Sequence, residues 1–260
     1  MGLPTWPAKS VKDPGFAEQV RAAEVDLLLN VHSLYVIAGE VVAAPRLGSF
    51  NLHPGPLPQY AGLNTVSWAL YRGEAEYGVT VHKMAPGIDT GAIAYQSLFP
   101  IEDKDTALSL YAKCIREGLE LLSQLVEAAA QGPGAIPLRE QDLSQRRYFG
   151  KEVPQNGLVQ WARPAREVVN FVRACDYFPF PSPWGSPKAR LGDTEVGLIK
   201  AARTGRTATA PPGSIGDCSE MGAEIACGDE WILCQRVTLD GRALHPGKLW
   251  ARGKRLSDGI

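Results

Sequence analysis

The chain has 260 residues, 45% of them hydrophobic and 21% charged, with a formal net charge of -1. That composition belongs to a folded soluble protein with room for one large domain or two ordinary ones. The near-neutral balance excludes the strongly basic footprint of a general nucleic-acid binder, though not a local basic patch.

No apolar run approaches the roughly 18–20 residues that cross a bilayer. The opening MGLPTWPAKSVKD lacks the apolar centre of a secretory signal, and Trp6 stands where a myristoylation signal needs Ser or Thr. The expected location is the cytoplasm, with no membrane partner.

In chain order, residues 14–24 carry Phe16, Val20 and Ala23 at helical spacing, with Pro14 near the start. VDLLLNV (25–31) is a short apolar run and reads as a strand buried on both faces. A second helix is expected over 38–44 and a strand over 48–52, ending at His53. Residues 62–73 fit a helix with Val66, Leu70 and Trp68 turned inward. YGVTVHKM (77–84) alternates as a strand does, and GAIAYQSLFPI (91–101) reads as another. The segment 105–130 is the clearest helix, with Leu108, Tyr111, Ile115, Leu119, Leu122, Leu125 and Val126 forming one apolar stripe. Helices alternating with strands predict an α/β domain built on a mostly parallel, Rossmann-like sheet.

Gly, Pro and polar residues then break the pattern between 131 and 157, as linkers do. Residues 164–175 read as a helix. After YFPFPSPWGSP, the pieces EVGLIKAA, AEIACG and EWILCQRVTLDG are short and strand-like, which predicts a small β-rich, barrel-like domain. The expected division is a first domain over 1–131, a linker over 132–157 and a second domain over 158–260. The five cysteines form no C-x-x-C pair and have no histidine at zinc-finger spacing. They read as reduced structural thiols, with no metal site.

The chemistry concentrates in two loops. FNLHPGPLPQYAG (50–62) sets Asn51 and His53 two residues apart at a strand end, just before a proline-rich turn. MAPGIDTGAI (84–93) follows another strand and carries Asp89 between glycines. Ligands in open α/β sheets bind at the carboxyl ends of strands. There His53 could move a proton or donate to an oxyanion, Asn51 could be a second donor, and Asp89 could orient the imidazole and stabilise its protonated form. No Ser or Cys accompanies His53 in a nucleophile motif, so direct acyl-type transfer fits better than a covalent intermediate. On residue types alone the bland reading competes: a histidine after a strand is commonly structural, and Asn51 and Asp89 are ordinary turn formers.

SFNLHPGPLPQYAG followed by GIDTGAIAYQ resembles the signature of the folate-dependent formyltransferases. The resemblance implies a formyltransferase fold and a formyl transfer from 10-formyltetrahydrofolate, with no metal. It carries the family's catalytic set onto Asn51, His53 and Asp89. SLYVI (33–37) is similar to the family's pterin-holding loop, which places Leu34, Tyr35, Val36 and Ile37 in the folate pocket, joined by Ala85, Pro86 and Ile88. His82 and Thr80 fall at positions near the site in the purine-synthesis relatives, and a structural role for His82 stays open.

GLVQWARPAREVVNFVRACDYFPFPSPWG, PPGSI and EIACGDEWILCQRVTLDGR resemble the carboxyl-terminal domain of the tRNA, sugar and dehydrogenase branches, which the purine enzyme lacks. In the family a strand, a helix and a second strand precede the equivalent of GLPTWP. The resemblance therefore implies that a normally central strand is absent here, exposing a sheet edge and leaving open whether this form is active. The expected acceptor is a primary amine on a small molecule or a carrier-bound amino acid. The run KLWARGKR could touch phosphates, but a short basic tail is usually solvated surface, so tRNA is the less favoured partner. Water as acceptor, giving a hydrolase, and a folate-binding remnant without activity are the other readings. No motif specifies the oligomeric state.

Overall fold

The computed structural model describes residues 4–33, 35–132 and 134–258. After a short 3-10 turn, Ala8–Lys12, the elements run α1 (Phe16–Ala22), β1 (Leu27–Val31), α2 (Gly39–Val42), β2 (Gly48–His53), β3 (Ala61–Gly62), α3 (Thr65–Arg72), β4 (Glu76–Lys83), β5 (Ile93–Pro100) and α4 (Ala107–Ala130). They continue with β6 (Tyr148–Phe149), α5 (Ala165–Cys175), β7 (Lys188–Leu191), β8 (Thr194–Thr207), β9 (Ile215–Ser219), β10 (Gly222–Ala226), β11 (Glu230–Leu239), β12 (Arg242–Leu244), α6 (Pro246–Leu249) and β13 (Ser257–Asp258). Among the described residues no helix is long and apolar enough to cross a membrane, and no group of three or more His, Cys, Asp or Glu is arranged to hold a metal ion.

The chain forms two compact units. The first comprises Met1–Thr65, Glu76–Pro100 and Ala112–Phe149, and the second Val66–Ala75, Ile101–Tyr111 and Gly150–Ile260. The later break, between Phe149 and Gly150, falls inside the segment read as a linker. Residues up to Phe149 stay with the first unit because β6 pairs in parallel with β3.

The first unit carries a four-stranded sheet in the order β1-β2-β4-β5. The class is α/β as expected, but the proportion of parallel pairing is corrected. Only β1 and β2 run parallel, while β2–β4 and β4–β5 are antiparallel. A parallel return needs a crossover running the length of the strand. The eight residues of α3 span about 12 Å, against about 20 Å for the six-residue β2. A loop without a helix joins β4 to β5.

Two burial expectations are also corrected. The β1 strand is not buried on both faces: it lies at a sheet edge, and Leu29 and Val31 are exposed. On α4 the covered stripe is Ala107, Leu110, Cys114, Leu121, Leu122 and Leu125, whereas Ile115, Leu119 and Val126 face outward. The stripe turns by one position because Gly118 brings the helix backbone onto Leu52, whose methyl carbons lie 2.8 Å from where a Cβ would stand. That contact settles which face of β2 looks at the helix. Phe50 and Leu52 point that way, and Ser49, Asn51 and His53 point to the other. A smaller cluster of Phe16, Ala17, Val20, Val41 and Ala44 closes the region around α1 and α2.

The second unit holds a sheet ordered β13-β7-β8-β11-β10-β9, with β12 paired to β11. Residues at its two ends approach: Ser214 bridges Arg255 just before β9 and β13, and Ile215 N donates to Lys254 O at 2.8 Å. The sheet is thus curled towards a barrel. Val168, Val169 and Val172 of α5 pack into its core with Trp161, Leu198, Ile225 and Ile232. All five cysteines are free. Burial pushes the thiols of Cys114, Cys227 and Cys234 up to about 12, so they are un-ionised packing groups.

Candidate active site

Strand register assembles the site. Cα pairing aligns Asn30, Asn51 and His82 in one row across β1, β2 and β4. The next row holds His53, Thr80 and Gln96 across β2, β4 and β5. Side chains two apart share a face, so both rows present polar groups on the side of the sheet away from Leu52. Asn30 Nδ2 donates to Asn51 Oδ1 at 2.8 Å, which fixes the amide so that its Nδ2 faces His82 Nε2 at 3.1 Å.

His53 is buried, with 4% of its surface exposed. Its Nε2 lies 2.6 Å from Tyr60 O. A carbonyl can only accept, so the proton sits on Nε2 and the lone pair of the neutral ring sits on Nδ1. Nδ1 faces Asp89 Oδ2 at 3.6 Å, beyond ordinary hydrogen-bond length. Tyr60 O therefore sets the tautomer, and Asp89 supplies a nearby charge. Gly55 makes this geometry possible: a Cβ there would stand 2.6 Å from Tyr60 O and 2.8 Å from His53 Nε2.

Thr80 and its neighbours fasten the proline-rich loop from below. Thr80 Oγ1 donates to Gly55 O at 2.7 Å and accepts from Leu57 N at 3.2 Å. Gln96 Nε2 donates to Leu57 O at 2.9 Å, and the Tyr77 hydroxyl to Pro54 O at 2.6 Å. Asp89 sits in the loop between β4 and β5 at φ 55°, a left-handed conformation that Asp tolerates better than most residues. Its Oδ2 accepts from Gly62 N at 2.8 Å, and its Oδ1 lies 3.4 Å from His82 Nε2. The other nitrogen of His82, Nδ1, donates to Lys83 O at 2.9 Å. When that ring is neutral Nε2 accepts from Asn51, and when it is protonated Nε2 donates to Asp89.

Burial lowers the pKa of His53 below its ordinary 6.5, against the opposing pull of Asp89 and of Tyr60 O. Burial would raise Asp89, but the His82 hydrogen bond, the charge of His53 and the Gly62 amide outweigh it and hold the carboxyl at about 2. At neutral pH the site is a neutral imidazole beside a carboxylate. His32, just past β1, is itself lowered by burial and pushes His53 down further.

Asn51, His53, Asp89, Thr80 and His82 are thus brought together. The residues expected to hold folate are more scattered in exposure. Val36, Ala85, Pro86 and Ile88 are exposed and Tyr35 is half-buried. Ile37 is half-buried and packs against the α1–α2 cluster, and Leu34 lies outside the described residues. Sequence reading missed Asn30, His32 and Gln96. The available signal was a polar residue breaking an apolar strand, such as Asn30 in VDLLLNV.

A family model described as formyl transferase matches residues 2–126, and one described as formyl transferase, C-terminal domain, matches 152–255. The chain belongs to the formyltransferase family. Among solved structures it is similar to HypX from Aquifex aeolicus in complex with tetrahydrofolic acid (TM-score 0.65, 20% identity), covering 91% of this chain and 40% of that one. It therefore spans well under half the length of HypX. It is similar to an N-formyltransferase from Helicobacter canadensis in complex with folinic acid and dTDP-3-aminofucose (TM-score 0.58, 26% identity), covering 74% of this chain and 68% of that one. It also resembles WlaRD, a sugar 3N-formyl transferase solved in the presence of dTDP and 5-N-formyl-THF (TM-score 0.60, 21% identity), with 81% and 74% covered. The likenesses to HypX and WlaRD are likenesses of fold.

Proposed function

We propose that this formyltransferase moves a formyl group from 10-formyltetrahydrofolate to a primary amine of a small molecule, with Asn51, His53 and Asp89 as its catalytic residues. The observation that carries the reading is the buried imidazole whose Nε2–H is committed to Tyr60 O, leaving Nδ1 to face Asp89. That is a proton acceptor with a charge positioned to stabilise its protonated form. The sugar-nucleotide ligand named for the Helicobacter relative supports a small-molecule acceptor.

The unprotonated amine attacks the formyl carbon, and the carbonyl electron pair moves onto oxygen. Asn51 spends one Nδ2 proton on His82 Nε2, which leaves the second for the oxyanion. His53 Nδ1 takes the proton released by the amine, and Asp89 stabilises the imidazolium. Collapse of the tetrahedral intermediate expels the folate nitrogen, which receives that proton, and the formylated amine and tetrahydrofolate leave. Val36, Ala85, Pro86 and Ile88 offer exposed surface to the folate, and residues 1–131 and 158–260 serve as catalytic and accessory domains.

Single-turnover release of tetrahydrofolate from 10-formyltetrahydrofolate tests this, run with water alone, a free amino acid, dTDP-3-aminofucose and methionyl-tRNA. Release is expected to need a small-molecule amine and to slow about 10³-fold in His53→Ala. Wild-type speed in that variant removes the catalytic assignment, and equal release in water alone makes the protein a hydrolase.

A further inference from the structure

Residues 131–157 read as connecting chain, yet part of this segment grips both loops of the site. Arg139 and Ile93 exchange both backbone hydrogen bonds, at 2.8 and 2.9 Å. The Gln141 amide nitrogen donates to Asp89 O at 3.0 Å and Gly91 O at 2.6 Å. Arg146 Nη2 donates to Ile88 O at 2.9 Å. The same segment then turns to the proline-rich loop: Arg147 N donates to Pro58 O, Ala61 N to Arg147 O, and Leu63 N to Phe149 O, at 3.3, 3.0 and 2.8 Å. The two gripped loops meet where Gly62 N donates to Asp89 Oδ2.

Three features make this more than a surface tether. The carbonyls of Ile88, Asp89 and Gly91 all accept from this one segment. Asp89 holds a positive φ, a conformation still less favourable for Asp than the extended or helical ones and therefore aided by contacts that fix the loop. The Gln141 amide has one productive orientation, because both groups at its nitrogen are acceptors. Its Oε1 is buried without a partner among the described residues, so that orientation is kept at the expense of an unsatisfied oxygen.

We propose that Arg139–Phe149 is a positioning strap for the catalytic loops, and that Gln141 is the positioning residue that sets Asp89 against His53 and His82. The proposal rests on Asp89 being catalytic, as argued above.

The test compares Gln141→Leu, Asp89→Asn, the double variant, and Arg116→Ala. Arg116 lies outside the strap, exposed on α4 and paired with Glu117. Each protein is assayed with 10-formyltetrahydrofolate and whichever acceptor turns over. Gln141→Leu should lower kcat about 10²-fold with little change in KM for the folate, and Arg116→Ala should match wild type. The double variant should be no slower than Asp89→Asn, since Gln141 acts through that carboxylate.

In the free protein, Gln141→Leu should speed exchange of the Gly62 amide. It should also move the His53 titration to lower pH, because the carboxylate that raises it has drifted away. A wild-type rate in Gln141→Leu beside a slow Asp89→Asn overturns the strap, as does a double variant slowed by the product of both effects. If Asp89→Asn is as fast as wild type, the catalytic reading fails instead. Gly62 exchange and the His53 titration then still decide the strap, and unchanged values overturn it. Gln141→Glu, which keeps the volume and loses the donors when ionised, replaces the Leu variant should that fail to fold.

Discussion

The two units bury polar groups for different ends. In the second, each buried charge is saturated by neighbours from its own unit. Glu230 takes Arg203 on Oε2 and Gly205 N on Oε1, and Asp105 takes Ser109 Oγ and Glu102 N. In the first, His53, His82, Asn51 and Asp89 share a network that still has a lone pair on His53 Nδ1 and an amide proton on Asn51 to offer. A saturated network specifies structure, and an unsaturated one is ready for a substrate. The contrast predicts opposite consequences of mutation.

The largest expected effect is the loss of rate in His53→Ala, about 10³-fold, with roughly 1–3 kcal/mol of stability lost because a cavity opens and Tyr60 O loses its donor at 2.6 Å. A large stability loss without a rate change would place His53 with the structural group. Gly55→Ala comes next. Its methyl would intrude on both partners of the His53–Tyr60 bond, so the rate should fall at least about 10-fold, with roughly 1–2 kcal/mol of stability lost. Kinetics and urea unfolding read the two together.

Glu230→Ala should do the reverse. It should cost only about 1 kcal/mol, because the Gly205 amide and the Arg203 guanidinium it releases are both open to water, and leave turnover unchanged. A drop in kcat equal to that of Gly55→Ala would erase the distinction between the units.

The smallest effect is on pH dependence. The folded-state pKa of His53 lies below its unfolded 6.5, so the unfolded chain binds more protons between the two values. Stability therefore rises with pH across that window and is lost as pH falls through it. Thermal unfolding at pH 7 and 5.5 should show this loss in wild type and less of it in His53→Ala. Asp89, held at about 2, stays ionised throughout.

Much of this was legible from local pattern. Apolar runs and alternation located the four strands of the first unit's main sheet but not the short β3–β6 pair, the stiff proline loop marked Asn51 and His53, and a glycine-flanked turn marked Asp89. The misreadings share one cause. An apolar run such as VDLLLNV reports hydrophobicity, not whether a neighbouring strand covers it, and β1 proved to be an edge. The α4 stripe drifted because the closest approach is made at Gly118, a residue without apolar signal.

Local pattern thus determined the class of fold, and the resemblance of two loop motifs pointed to the family and to the residues of the candidate site. Tertiary structure decided which strands run antiparallel and which polar residues share a row. It also decided that a backbone carbonyl, Tyr60 O, sets the His53 tautomer and that Gln141, from a stretch with no periodic signal, grips the Asp89 loop. Backbone groups are the same in every residue, so no sequence pattern announces where a carbonyl will point. Register and loop contacts are non-local, and only the folded chain specifies them.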